Sequence, residues 1–160
     1  MSSPAAVPSR LVLRLYVLRA MLLLSFARLL VRGVALRRWR STLGNRGQVQ
    51  AACPGSAADR WPRIKLHVRC VERAAGYLPG ESRCLPKAMA VQWLLGGERI
   101  PSTLVMAAHA RDRTAAHAYH AWVEYAGDIV IGHCERSDYR VMAAFSHDGS
   151  PAIAPATSLP

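Results

Sequence analysis

Residues Arg83–Leu95 read RCLPKAMAVQWLL, a cysteine followed by a nearly continuous apolar stretch. Pro86 stands two residues after Cys84, and proline is tolerated in the first turn of a helix but not deeper. The stretch therefore predicts a helix over residues 81–97 that Cys84 opens, and a Gly-Gly pair ends it. The free N–H groups and the positive dipole at a helix start favour the thiolate form of Cys84.

A histidine later in the chain supplies the second part of an acyl-transfer site. His120 opens the sequence HAWVE, within a strand predicted over residues 118–125. A cysteine at a helix start followed by a histidine on a strand is the order of papain-like and transglutaminase-like cysteine enzymes. In such sites the thiolate attacks and the imidazole is the general base. Arg83 and Lys87 flank Cys84, and both cations favour the thiolate. A purely structural cysteine in an apolar core remains the alternative on chemistry alone.

The apolar pattern predicts helices first and strands afterwards. One or two helices are predicted from Arg10 to about Leu36, with Gly33 as the weak point, and another over Trp61–Tyr77. A change to period two then predicts an antiparallel sheet arranged as a β-meander, which gives an α+β fold. A loop is predicted over residues 44–59. Strands are predicted over residues 102–108, 118–125 and 128–132, with a tight turn at Ala126-Gly127. Residues 139–145 are predicted to form a short strand or helix.

The domain organisation follows from the same pattern. We expect a disordered tail at residues 1–9, a single domain over 10–145 with an Arg/Leu-rich helical part at 10–58, and a flexible tail at 146–160. The chain has 160 residues and a net charge of +11, and residues 1–58 hold nine Arg and no acid. These arginines alternate with aliphatic residues and few aromatics, which disfavours nucleic acid. An acidic leader, a partner protein or a membrane-bound assembly fits better.

No segment is predicted to span a membrane. Arginines interrupt Leu11–Val31, and its longest uncharged stretch, Ala20–Ala27, is far shorter than the roughly 20 residues required. Four arginines share one side of this helix, so we expect it to dock on the rest of the domain, with peripheral membrane contact as the alternative. The four cysteines have no CxxC spacing, which predicts free thiols in the cytoplasm. A zinc site is not expected, because His117 and His120 point to opposite faces of a strand; His133, Cys134 and Cys84 would complete such a set.

Four strings in this order resemble the lasso peptide B proteins, which are transglutaminase-like leader peptidases. They are CLPKA from Cys84, WLL from Trp93, IPSTLV from Ile100 and HAWVE from His120, and the likeness covers about Arg10–Phe145. The resemblance implies a transglutaminase-like or papain-like cysteine peptidase fold. It implies hydrolysis of one peptide bond between leader and core in a ribosomally made precursor, as part of antibiotic biosynthesis.

The resemblance also implies partners. A separate ATP-dependent lasso cyclase closes the macrolactam, so ATP enters only through that partner and this chain binds no cofactor. Some members carry a leader-recognition module of winged-helix type at the N-terminus. Residues 1–58 show no pattern for one, so a separate leader-recognition protein is expected.

By analogy with the family, Cys84 attacks the scissile carbonyl and His120 transfers the proton. The third member of the site departs from the family pattern, which has an aspartate where this chain has Gly132-His133. A two-residue turn would pair His120 with His133 and leave Asp128 too far along the strand to orient His120, unless the turn is bulged. We therefore rank His133 first, as a neutral acceptor, and Asp128 second. The remaining alternatives are Glu135, Asp138 or a Cys–His dyad.

Two other functions stay open. The first is a non-catalytic module that binds the precursor, which the missing aspartate favours. The second is an acyltransferase or amidase of the same fold that uses an amine in place of water. Glu124 is predicted to face solvent rather than to take part in catalysis.

Overall fold

The computed structural model describes residues 10–46, 57–80, 83–111 and 118–147. The tail predicted at 1–9, all but the first two residues of the tail predicted at 146–160, and much of the loop predicted at 44–59 lie outside these ranges. The helices are α1 (Arg10–Gly33), α2 (Leu36–Trp39), α3 (Ala57–Tyr77) and α4 (Cys84–Gly97), with 3-10 turns at Arg40–Leu43 and Arg136–Asp138. The strands are β1 (Asn45–Arg46), β2 (Ser102–His109), β3 (Tyr119–Tyr125), β4 (Asp128–Ile131) and β5 (Tyr139–His147).

The helices agree with the sequence pattern except at the starts of α3 and α4; α4 begins at Cys84 and not at residue 81, because Arg83 is its non-helical N-cap. The break at Gly33 between α1 and α2 is confirmed, and so is the helix over Trp61–Tyr77. That helix begins four residues earlier than expected and continues through Pro62, which lies inside the helix beyond the first turn where proline is normally tolerated. The loop predicted at 44–59 is wrong at its first residues as well, since Asn45 and Arg46 pair with β5. A two-residue strand has no alternation that a sequence could reveal.

Helix α1 packs against α3 and α4, which confirms the predicted docking. Ala20, Leu24 and Ala27 are fully buried there, and the guanidinium of Arg28 donates to the carbonyl oxygens of Pro79 and Gly80, both at 2.9 Å. The opposite side of the helix is apolar and more than half exposed at Leu11, Leu15, Leu18, Leu22, Phe26 and Leu29. Within the part of the chain that the structure describes, no helix is both long and apolar enough to cross a bilayer.

The five strands form one antiparallel sheet in the order β1-β5-β2-β3-β4. The predicted β-meander is therefore wrong for the last strand, because β5 pairs with β2 and not with β4. The first four residues of β2 are all buried, which is typical of a central strand that needs a neighbour on each side. Strand β5 also continues to His147, so the predicted tail begins later than residue 146.

The sheet buries different residues on its two faces. The main core lies between the helices and one face, where β3 contributes Ala121, Val123 and Tyr125. Because side chains alternate along a strand, His120, Trp122 and Glu124 lie on the other face. There Trp122 belongs to a second, smaller cluster, with Val105, Ala107, Ile129, Cys134 and Tyr139. The α+β architecture with N-terminal helices and a small antiparallel sheet is confirmed.

Candidate active site

Cys84 is the first residue of α4, as the position of Pro86 predicts. The preceding Arg83 is the N-cap; its backbone is extended, with φ −58° and ψ 155°, and its side chain makes no capping hydrogen bond. The first backbone N–H groups of a helix have no partner within the helix, and Pro86 has no N–H. This leaves the N–H groups of Cys84 and Leu85 at the helix start, next to a half-buried thiol.

A buried amide holds α4 in place. Gln92 is almost fully buried, and its Nε2, which carries two hydrogens, lies within hydrogen-bonding distance of the carbonyl oxygens of Leu43 (3.1 Å), Ser102 (3.3 Å) and Phe145 (3.2 Å). Its Oε1 accepts from the Ser102 hydroxyl at 3.0 Å. These contacts tie the helix that carries Cys84 to β2, β5 and the first 3-10 turn. This role is not among the predictions, although a single amide within an apolar stretch was its signal in the sequence.

The first residue of strand β3 lies close in space to the first residue of helix α4. The Sγ atom of Cys84 lies 4.0 Å from the carbonyl oxygen of Tyr119, the residue before His120. His120 is half-buried, and its Nε2 lies 3.0 Å from the carbonyl oxygen of Gly132. The structure thus brings the thiol to the strand end that carries the imidazole, and it adds a backbone acceptor that the sequence analysis did not name.

The hairpin of β3 and β4 differs from the register expected at its open end. Tyr125 faces Asp128 across the turn, as predicted. A β-bulge between Val123 and Glu124 then shifts the pairing by one residue, so that Val123 faces Ile131. The stepwise pairing of His120 with His133 is therefore wrong, because it assumes a regular ladder and the ladder ends at Ile131.

The residues considered for the third site position are spread around this hairpin. Asp128 is exposed and lies at the turn, at the far end of β3 from His120. His133 is exposed in the segment after β4, and Glu135 and Asp138 are exposed around the second 3-10 turn. Among the residues that the structure describes, Gly132 places its carbonyl oxygen within hydrogen-bonding distance of His120 Nε2.

Two aromatic rings surround the imidazole. The ring of Tyr139 lies 5.4 Å from that of His120, tilted by 33°, and the ring of Trp122 lies 6.1 Å away, tilted by 32°. The pKa of Tyr139 is raised above its ordinary value by burial first, and then by the negative charges of Cys134, Asp138 and Cys84. Tyr139 therefore lies within electrostatic reach of both cysteines while contacting the imidazole. From the sequence, Tyr139 is predicted only as the first residue of a short strand or helix.

Glu124 is buried and not solvent-facing, so that prediction is wrong. One of its carboxylate oxygens accepts from Trp122 Nε1 at 2.7 Å and from Arg136 Nε at 3.0 Å. Arg136 also donates to the carbonyl oxygen of Gly127 at 2.6 Å. A charged partner and an indole donor satisfy the carboxylate, which lets it remain buried. Glu124 thereby fixes Trp122, the residue beside the imidazole.

The other charges and thiols near the site have distinct roles. The ammonium of Lys87 lies 2.9 Å from a carboxylate oxygen of Glu72 on α3, so its charge is shared with that partner. Burial raises the pKa of the half-buried Cys134 thiol above its ordinary value, and the nearby Arg136 partly opposes that rise. Among the residues described, Cys70, Cys84 and Cys134 are free thiols, and no cluster of three or more side chains could hold a metal ion. Cys53 and His117 lie outside the described ranges.

Comparison with known proteins gives one match. The family model described as the transglutaminase-like superfamily matches residues 27–144, which include both Cys84 and His120. No curated protein and no solved structure matches the chain. The matched segment covers most of the 160 residues and extends from the second half of α1 into β5. This chain belongs to the transglutaminase-like superfamily.

Proposed function

We propose that this chain is a cysteine peptidase that removes the leader from a ribosomally made lasso peptide precursor. The observation that carries the chemistry is the uncapped helix start at Cys84, whose Sγ lies 4.0 Å from the carbonyl of Tyr119, next to His120. The superfamily includes cysteine peptidases and acyltransferases, which supports thiol-dependent acyl transfer. The substrate class is supported by the four sequence strings that resemble the lasso peptide B proteins.

The reaction would proceed in two balanced steps. In the first, His120 takes the thiol proton, Sγ bonds to the scissile carbonyl carbon, and the C–N bond breaks as the imidazolium returns the proton to the leaving amine. In the second, His120 deprotonates water, which attacks the thioester, releases the carboxylic acid and restores the thiol. The N–H groups of Cys84 and Leu85 are the proposed donors to the oxyanion, since they have no partner within the helix.

The proposal includes three partners. They are the precursor peptide, a separate leader-recognition protein, and the ATP-dependent cyclase that closes the macrolactam after the cut. The nine arginines and the absence of acids in residues 1–58 favour binding of acidic groups on these partners over basic ones. The chain itself requires no cofactor in this proposal, and ATP would be consumed only by the cyclase.

The test is a cleavage assay followed by mass spectrometry. The purified protein, Cys84→Ala and the matched control Cys70→Ala are each incubated with a precursor and its recognition protein. We expect leader and core masses from the native chain and from Cys70→Ala. We expect a loss of at least about a thousandfold in rate for Cys84→Ala. Intact precursor with the native protein, although binding is confirmed, would refute peptidase activity and favour the precursor-binding module.

A second candidate is acyl transfer to an amine, because the same superfamily includes acyltransferases. The thioester formed at Cys84 would then be released by an amine and not by water. Product mass separates the two activities, since hydrolysis adds the mass of water and transfer adds the acceptor. A product that carries an added amine, in an assay with lysine ethyl ester present, would favour this candidate.

A further inference from the structure

The structure assigns the backbone carbonyl of Gly132 as the positioning group that orients His120, in place of a carboxylate side chain. The contact is 3.0 Å between His120 Nε2 and the Gly132 oxygen. A carbonyl oxygen only accepts hydrogen bonds, so Nε2 must carry the hydrogen and donate it. In the neutral ring Nδ1 then holds the lone pair. It is Nδ1, therefore, that receives the thiol proton in the proposed reaction.

The backbone conformation at Gly132 allows this close contact. Its φ is +79°, which glycine adopts without strain, and a Cβ at this position would lie 2.6 Å from the carbonyl oxygen of Ala121 and 3.1 Å from the Cα of Trp122. Any other residue would push β4 away from β3. A side chain at position 132 would therefore disturb the close approach to β3 that places the Gly132 carbonyl beside the imidazole.

The bulge in the hairpin is the second part of the arrangement. Val130 and Ile131 are adjacent in sequence, yet both are buried in the main core, as a bulge allows and a regular strand does not. Consecutive side chains in a regular strand would point to opposite faces. The bulge thus ends regular pairing immediately before Gly132 and turns the chain so that its carbonyl faces the imidazole.

The ring is also held from its sides. Tyr139 and Trp122 lie against His120, and Trp122 is itself fixed by its hydrogen bond to the buried Glu124. A neutral carbonyl supplies direction but no negative charge, so it does not form an ion pair with the imidazolium as a carboxylate would. The site is therefore a Cys–His pair with a neutral backbone acceptor. The consequence of this arrangement for catalysis rests on the proposed peptidase function. The assignment of the hydrogen to His120 Nε2 does not.

The experiment weakens this one acceptor and compares it with an amide counterpart that carries the same side chains. An ester in place of the amide between residues 132 and 133 makes the Gly132 carbonyl a poorer acceptor. Lactic acid introduced at position 133 gives this ester, and His133→Ala is its amide counterpart with the same side chain. Both variants are labelled with ¹⁵N in the histidine rings, and the His120 signals are assigned by their loss in His120→Gln.

We expect native protein and His133→Ala to show His120 as the neutral Nε2–H form. We expect the ester variant to show a mixture of the two neutral forms, with a two- to tenfold lower cleavage rate, the range of about one hydrogen bond. An Nδ1–H form in the native protein, or a form that changes in His133→Ala as much as in the ester, would overturn the inference. The spectra need no substrate, so an inactive protein with the expected Nε2–H form would refute the peptidase and leave the assignment standing.

Discussion

The two ends of the β3–β4 hairpin are built by different rules. At the turn, Tyr125 pairs with Asp128, and Ala126 and Gly127 both have positive φ, of 50° and 88°, as a two-residue turn requires. At the open end a bulge breaks the ladder and Gly132 approaches the β3 backbone closely. The closed end fixes the register of the two strands. At the open end regular pairing is lost, and the carbonyl of Gly132 lies against His120. The turn end of the hairpin is therefore structural, whereas the open end belongs to the candidate active site.

The largest difference between the two ends should appear at their glycines. Gly132→Ala adds a methyl group that meets backbone atoms at 2.6 Å, whereas Gly127→Ala places it where nothing lies within 4 Å. Both changes carry the cost of positive φ, about 1–2 kcal/mol. We expect Gly132→Ala to lower the free energy of unfolding by about 2–4 kcal/mol and to abolish the His120 contact, because overpacking adds to that cost. Urea unfolding of both variants tests the comparison. Equal losses in the free energy of unfolding would contradict it.

The next largest effect should come from the buried carboxylate of Glu124. Glu124→Ala leaves the Trp122 indole N–H without its acceptor and Arg136 without its ion pair. We expect a loss of about 1–3 kcal/mol in the free energy of unfolding, the cost of leaving buried polar groups unpaired. The exposed Glu135→Ala is the control and should change stability by no more than about 0.5 kcal/mol. If the two variants unfolded at the same denaturant concentration, the burial of Glu124 would have no energetic role.

A smaller effect is expected in the reactivity of Cys134 at the open end. Burial raises its pKa above the ordinary thiol value of 9.0, so thiolate forms at higher pH than in free cysteine. Alkylation of Cys134, followed by peptide mass spectrometry from pH 6 upward in Cys84→Ala protein, should be slower than that of free cysteine at neutral pH. Removal of the nearby cation in Arg136→Ala should slow it further, because Arg136 lowers that pKa. Faster labelling than free cysteine would contradict the raised pKa.

The smallest effect is expected at the closed end. Asp128→Asn removes a charge that lies opposite Tyr125 and remote from His120. Because the side chain is exposed, we expect cleavage within about twofold of the native rate and stability within about 0.5 kcal/mol. The cleavage assay checks this directly. A loss comparable to that of Cys84→Ala would mean that Asp128 reaches the imidazole in the working enzyme, which the hairpin geometry opposes.

Local sequence signals predicted the parts of the site that depend on few neighbours. Pro86 placed Cys84 at a helix start, and the Ala126-Gly127 pair placed the turn. The bulge could not be predicted, because it reflects how Val130 and Ile131 both fit the core, a matter of packing between distant elements. The burial of Glu124 depends on Arg136, twelve residues away, and so leaves no trace in the local alternation. The position of β5 beside β2 likewise follows from pairing between segments far apart in the chain.

The shifted register also has a consequence for how the hairpin can vary. Strand β4 has four residues, Asp128–Ile131. Three of them pair with β3, and the remaining one is the extra residue of the bulge. Replacement of one aliphatic residue there by another keeps the count, whereas a one-residue deletion would remove the bulge and leave an even ladder. The chain would then lose the extra residue that turns it immediately before Gly132. For this short strand, chain length is under a tighter constraint than composition.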